Sequence, residues 1–206
     1  MTTNIASLPR NVAPHLASNR SSDTTDADLI RRIAVGNKLA MQLLYERHNV
    51  RLFRFALRLI RNEAAAEDVV QAVFLDVWRK AEEFKGYSEV STWLLAIVRH
   101  KALTVFRYRS ADPLDEEGVA CVADSADTPE MATQKAQGRS IIRNCLTQLS
   151  PAHREIIDLV YYHGKSIEEV AKIVGIGVNT VKTRMFYARK YLAKLLQRQG
   201  ITTAMA

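Results

Sequence analysis

From Val170 to Ala206 the sequence contains no aspartate or glutamate. The same stretch carries Lys172, Lys182, Arg184, Arg189, Lys190, Lys194 and Arg198. Charge of one sign suits a polyanionic partner, because each neutralised phosphate releases condensed counterions. Cysteine is nearly missing as well. Cys121 and Cys145 are the only two, and neither stands in a Cys-x-x-Cys or Cys/His array, so a zinc module is excluded. A redox pair remains open beside the plainer reading of two reduced thiols. No clustered carboxylates or metal-ligating constellation occur, so no catalytic residue, metal or cofactor is assigned. No apolar run is long enough for a membrane span, and the N-terminus lacks an apolar signal core. The expectation is a cytoplasmic protein without membrane insertion. Strand-like alternation is also absent, which leaves an all-α class.

What remains is ordinary for a globular chain of 206 residues, with 48% hydrophobic and 25% charged residues. The net charge of +7 and pI near 9.5 repeat the preference for a polyanion. The basic C-terminal stretch is also the most strongly patterned. Ser166 with Glu169 three places on is a capping box and opens a helix with Val170, Ala171 and Val174 on its apolar side. Gly175-Ile176-Gly177 ends that helix. A second helix follows, with Val181, Met185, Ala188, Leu192 and Leu195 in one stripe. Its other face carries Asn179, Lys182, Thr183, Phe186 and Lys190. Two helices about a short glycine turn make a helix-turn-helix, whose second helix fits the DNA major groove. A basic surface helix of a bundle is the blander reading. Pattern, turn and charge agree on the sharper one.

Earlier in the chain, residues 1–25 are polar and scattered and read as a disordered tail. Asp26 to Val35 is predicted as a short helix with Leu29, Ile30 and Ile33 inward, and Lys38 to Arg61 as a longer one that Asn62 breaks. Glu63 to Phe84 follows, buried through Val69 or Val70, Val73, Val77 and Ala81. Phe74 and Trp78 read as core, since large aromatics at helical spacing usually pack inside. Asp68, Gln71 and Leu75 share another face. After a loop around Gly86, Thr92 to Tyr108 is a basic helix with Leu94, Ile97, Val98, Ala102 and Val105 inward. Residues 110–132 change character: seven acids fall between Asp112 and Glu130, with no base. Such a stretch is a flexible linker by composition, a solvated tether or a polyanionic strand lying on basic protein surface. Thr133 to Gln148 is again helical, with Ile141, Ile142, Cys145 and Leu149 inward, and Ser150-Pro151 caps a further helix to Tyr162.

Four strings, in this order and spacing, resemble the extracytoplasmic-function group of bacterial sigma factors. They are Ala66–Trp78 (AEDVVQAVFLDVW), Ser91–Arg99 (STWLLAIVR), Leu149–Ile157 (LSPAHREII) and Thr180–Arg184 (TVKTR). The resemblance spans roughly Asp26 to Gln197. It implies two small helical domains, at 26–109 and 133–199, followed by a tail at 200–206. The first would dock on the clamp helices of core RNA polymerase and open the minus-10 element. The second would contact the polymerase flap and read the minus-35 element.

Residue by residue, the resemblance assigns Asp68, Gln71 and Leu75 to polymerase binding. It assigns Lys85, Gly86, Tyr87, Ser88, Trp93, Arg99, Lys101 and Arg107 to the opened minus-10 strand. The loop at 85–91 corresponds to the place where the family captures a flipped base, on which Tyr87 could stack. Asn179, Thr180, Lys182, Thr183, Arg184, Phe186, Arg189 and Lys190 fall to the minus-35 element. An anti-sigma protein is the implied regulatory partner, and a stress- or signal-responsive regulon the implied target. The chain departs from the family in two places. Val90 and Leu94 stand where housekeeping members carry melting aromatics, although Trp93 is kept. His100 and Thr104 replace a common Asn and Asp. A stand-alone helix-turn-helix repressor would share only the C-terminal pattern. A DNA-processing enzyme would need a reactive constellation that the sequence lacks.

Overall fold

The computed structural model describes residues 24–110 and 140–199, and every regular element among them is helical. Residues 1–23 of the expected tail, 111–132 of the acidic linker with Cys121, the 133–139 portion of the helix expected after it, and 200–206 lie outside the described residues.

Helix α1 (Asp26–Ala34) starts at Asp26 as expected and ends one residue before the expected Val35. Thr25 belongs to it as a capping box with Asp28: the Thr25 hydroxyl accepts from the Asp28 amide, and Asp28 accepts from the Thr25 amide. The Asp26 carboxylate takes hydrogen bonds from Arg47 at 2.9 Å and His48 at 2.6 Å, fastening α1 to α2 (Lys38–Ile60). Burial alone would raise the Asp26 pKa; the bonds from Arg47 and His48 outweigh it and hold the group below its ordinary value. Helix α2 stops at Ile60, one residue short of the expected Arg61, which is its C-cap. Arg61 takes the left-handed conformation at φ 59°, and Asn62 instead caps α3 (Glu63–Lys80) by accepting from the Ala65 amide.

A short 3-10 turn (Ala81–Glu83) leads to the loop and then to α4 (Val90–Ser110). The buried faces of α1 to α4 meet around Phe55, Leu44, Leu52, Val73, Val77, Leu94 and Val98. Val69 and Val70 are both buried, so the choice between them falls away. Phe74 is buried as expected, but Trp78 is 37% exposed and stands on the surface.

The C-terminal body begins with α5 (140–147) and α6 (Pro151–Ile157), which Ser150 caps by accepting from the His153 amide. Cys145 and Leu149 are buried, while Ile142, expected inward, is 47% exposed. Arg154 ties the two helices together by donating to the carbonyls of Leu146, Thr147 and Leu149. Helix α6 runs into one π-helical turn, Asp158–Tyr162. Helix α7 (Ile167–Val174) has the expected Ser166/Glu169 capping box and stops at Gly175, left-handed at φ 73°. Gly177 is extended and merely precedes α8 (Val178–Arg198). The stripe of α8 is buried at Val181, Met185, Ala188 and Leu195, with Leu192 half-buried. One apolar core continues from the N-terminal helices into α6, α7 and α8. No helix among the described residues is long and apolar enough to cross a membrane.

Candidate nucleic-acid interface

Helices α7 and α8 form the helix-turn-helix, and the exposed side of α8 is basic. Asn179, Thr180, Lys182, Thr183, Phe186, Arg189 and Lys190 are exposed there, while Arg184 is half-buried at the flank. The buried stripe fixes this orientation, because a helix that sinks Val181, Met185 and Ala188 must turn the residues between them outward. The Thr183 hydroxyl donates to the Asn179 carbonyl at 2.9 Å. Its proton is thereby used, which leaves the oxygen lone pairs and the methyl group for a partner. The Arg189 guanidinium sits 5.6 Å above the Tyr161 ring, a cation–π contact from the π-helical turn.

The loop at 84–89 and helix α4 make a second basic face. Tyr87 is 82% exposed, and Gly86 adopts φ 72°, a backbone that other residues rarely reach. Lys85 and Arg107 are exposed, Ser88 is half-buried, and Trp93 packs against Phe84 with ring centroids 5.0 Å apart. Lys101 pairs with Asp76 of α3 at 2.7 Å. Arg99 does not face open solvent: its Nε donates to the Glu155 carboxylate of α6 at 2.6 Å. At the two positions where the chain departs from the common Asn and Asp, the Thr104 hydroxyl donates to the His100 carbonyl at 3.0 Å.

On α3, Asp68, Gln71 and Leu75 are all exposed. Gln71 also lines an open cleft between α2 and α3, with Tyr45, Asn49, Val50, Phe53 and Glu67. Trp78 extends this exposed row by one further helical step from Leu75.

Sequence reasoning missed a seam between the two bodies. Lys165 is buried and donates to Glu89 at 2.9 Å, to Ser91 at 2.6 Å and to Glu169 at 3.0 Å. The buried Thr92 hydroxyl donates to the same Glu169 carboxylate, and Lys172 donates to the Tyr87 carbonyl at 3.1 Å. Burial would raise the Glu169 pKa; hydrogen bonds from Thr92, the Ser166 amide and Lys165 overcome that and hold it down to about 2. Farther along, Arg58 pairs with Asp158 and lies 4.0 Å over the Tyr162 ring, and Arg54 donates to the Tyr162 hydroxyl at 2.5 Å. His163 packs edge-on against Phe55.

His163 carries a pH dependence. Burial, and then the neighbouring Arg58, Arg51 and Lys165 charges, push its pKa down from 6.5 to about 4. Its Nε2 lies 3.6 Å from the Asp158 carboxylate, too far for a hydrogen bond. The folded ring is therefore neutral where the unfolded ring would take a proton, so the unfolded state gains protons between pH 6.5 and 4. Stability is expected to fall as pH drops through that window. His163→Leu should flatten the fall, as read from urea midpoints across pH. An unchanged slope in the variant would rule His163 out as its source.

Comparison with known proteins bears on both faces. A family model described as Sigma-70 region 2 matches residues 44–111, and one described as Sigma-70, region 4 matches residues 139–192. The ECF RNA polymerase sigma factor SigL of Mycobacterium tuberculosis is 35% identical over 174 residues, covering 82% of this chain and 96% of SigL. SigK of Mycobacterium bovis is 29% identical over 180 residues, covering 86% of this chain and 96% of SigK. Among solved structures, CnrH in complex with the cytosolic domain of CnrY is similar with a TM-score of 0.60 and 26% identity, covering 84% of this chain and 97% of CnrH. The sigma factor RpoE of Bartonella quintana, in complex with the anti-sigma factor NepR, is similar with a TM-score of 0.55 and 30% identity, covering 71% of this chain and 90% of RpoE.

Proposed function

The chain belongs to the extracytoplasmic-function group of sigma-70 RNA polymerase sigma factors, and from that premise we propose how its surfaces share the start of transcription. The unit at 26–109 docks on the clamp helices of core polymerase through Asp68, Gln71 and Leu75. Its 85–91 loop captures a base of the opened minus-10 strand, with Trp93, Arg99, Lys101 and Arg107 along the strand. The unit at 133–199 meets the flap and reads the minus-35 element through the exposed side of α8. The linker at 110–132 joins the two. The protein performs no chemistry itself; the polymerase forms the phosphodiester bonds, and this chain supplies promoter choice and strand opening at a stress- or signal-responsive set of genes. Since RpoE is held by an anti-sigma factor, a protein of that kind is the expected regulator.

One observation carries this reading. The basic residues of α8 stand on its solvent side, opposite a fully apolar buried stripe, in a stretch without a single acid. The most direct test is runoff transcription with purified core polymerase on genomic promoter fragments. The strand-opening role has its own test in permanganate footprinting. Replacing the 85–88 loop is expected to reduce thymine reactivity in the open complex more than it reduces polymerase binding. Wild-type reactivity in that variant would remove the base-capture role.

A further inference from the structure

Helix α4 and its preceding loop are covered along one side by the C-terminal body. The contact between Arg99 and Glu155 is the sharpest part of that cover. Arg99 presents Nε and a terminal nitrogen to the two oxygens of one carboxylate, at 2.6 and 3.4 Å. Guanidinium forks take carboxylates and phosphates in the same bidentate manner. The Glu155 side chain is only 9% exposed and that of Arg99 20%, so this is no loose surface pair. Beside it, Lys165 clamps Glu89 and Ser91, the Thr92 hydroxyl reaches Glu169, and Lys172 holds the Tyr87 carbonyl. The end of the loop and the first turns of α4 are thus occupied by α7 and the residues before it. The exposed side of α8 is left clear of this seam.

We infer that the C-terminal body competes with the opened DNA strand for the same site. Glu155 occupies on Arg99 the place that a backbone phosphate would take, so closure of the two bodies and strand contact exclude one another. The closed chain keeps its duplex-reading helix available while its strand site is shut. Beside the apolar contacts that join the two bodies, three ion pairs cross the seam: Arg58–Asp158, Arg99–Glu155 and Lys165–Glu89. A guanidinium held by a carboxylate can take a phosphate in the same way, so a competing polyanion offers Arg99 an equivalent partner. The inference rests on the proposed role of α4 in holding the opened strand.

The test uses the full chain carrying Glu155→Gln, an isosteric change that removes the charge and keeps the shape. Two probes are titrated by fluorescence anisotropy: a labelled oligodeoxythymidine and a labelled duplex of random sequence. Small-angle scattering reports the separation of the two bodies. If the wild-type chain is open about a tenth of the time, release raises the single-strand affinity about tenfold. The expected result is that gain, a larger radius of gyration and an unchanged duplex affinity. Adding Arg99→Ala should cancel the gain. Equal gains on both probes would mean a general charge effect and overturn the competition, as would a more open chain without any gain. A gain that survives Arg99→Ala would fault the assignment of Arg99 to the strand instead. Permanganate footprinting of the Arg99→Ala holoenzyme keeps the two failures apart: lost thymine reactivity there, with no gain from Glu155→Gln, sinks the competition and leaves the strand role standing.

Discussion

Lys182→Ala is expected to change which minus-35 bases are preferred, while Arg189→Ala lowers affinity for every sequence alike. Both residues are exposed on α8, but they stand differently. Lys182 lies between Val181 and Met185 of the buried stripe, near the helix N-terminus, together with Asn179 and Phe186. Recognition helices present N-terminal side chains to base edges and leave phosphates to the flanks. Lysine and asparagine donate to purine edges, and an exposed ring can rest on a thymine methyl. Arg189 sits further along and is held against the Tyr161 ring, which aims its charge without spending it on a carboxylate. Loss of a base contact costs about 1–3 kcal/mol and relaxes one position. Loss of a phosphate contact lowers the slope of log affinity against log salt by about one unit. Selection from randomised promoters with both variants decides the matter. An unaltered preference for Lys182→Ala, or an altered one for Arg189→Ala, would mean the two faces have been exchanged.

Asp68→Arg combined with Gln71→Ala is expected to weaken assembly with core polymerase by about 2 kcal/mol, roughly thirtyfold in Kd. The three residues Asp68, Gln71 and Leu75 are exposed on α3, so their replacement leaves the core intact. The exposed Leu75 and Trp78 beside them form an apolar strip next to an acid. That combination suits a protein partner better than bare solvent. A binding titration with a thermally unchanged double variant is the measurement. Wild-type affinity would clear this face of any part in docking.

What the sequence made legible was local. The Ser166/Glu169 capping box, the Ser150-Pro151 start and the stripe of α8 depend on residues three or four apart, and each is present in the structure. The left-handed stop at Arg61 gave no such sign, because arginine is not a residue that favours it. Trp78 and Ile142 were expected inside and stand outside. Hydrophobicity alone does not say whether an apolar side chain meets the chain's own core or another surface. The seam was beyond reach for a different reason. Arg99 and Glu155 are 56 positions apart, and Arg54 and Tyr162 are 108 apart. Nothing in a charge pattern tells which of many acids a given base will meet at such separation. Glu169 was legible only as a cap, although its carboxylate also binds Lys165 and Thr92.

The covalent join across 111–139 changes what the seam has to achieve. Tethering raises the concentration that each half experiences of the other to the order of millimolar. An attraction too feeble to keep two separate proteins together is then enough to keep one chain shut for much of its time. Cleavage anywhere in the join would remove that advantage, with every residue of the seam unchanged.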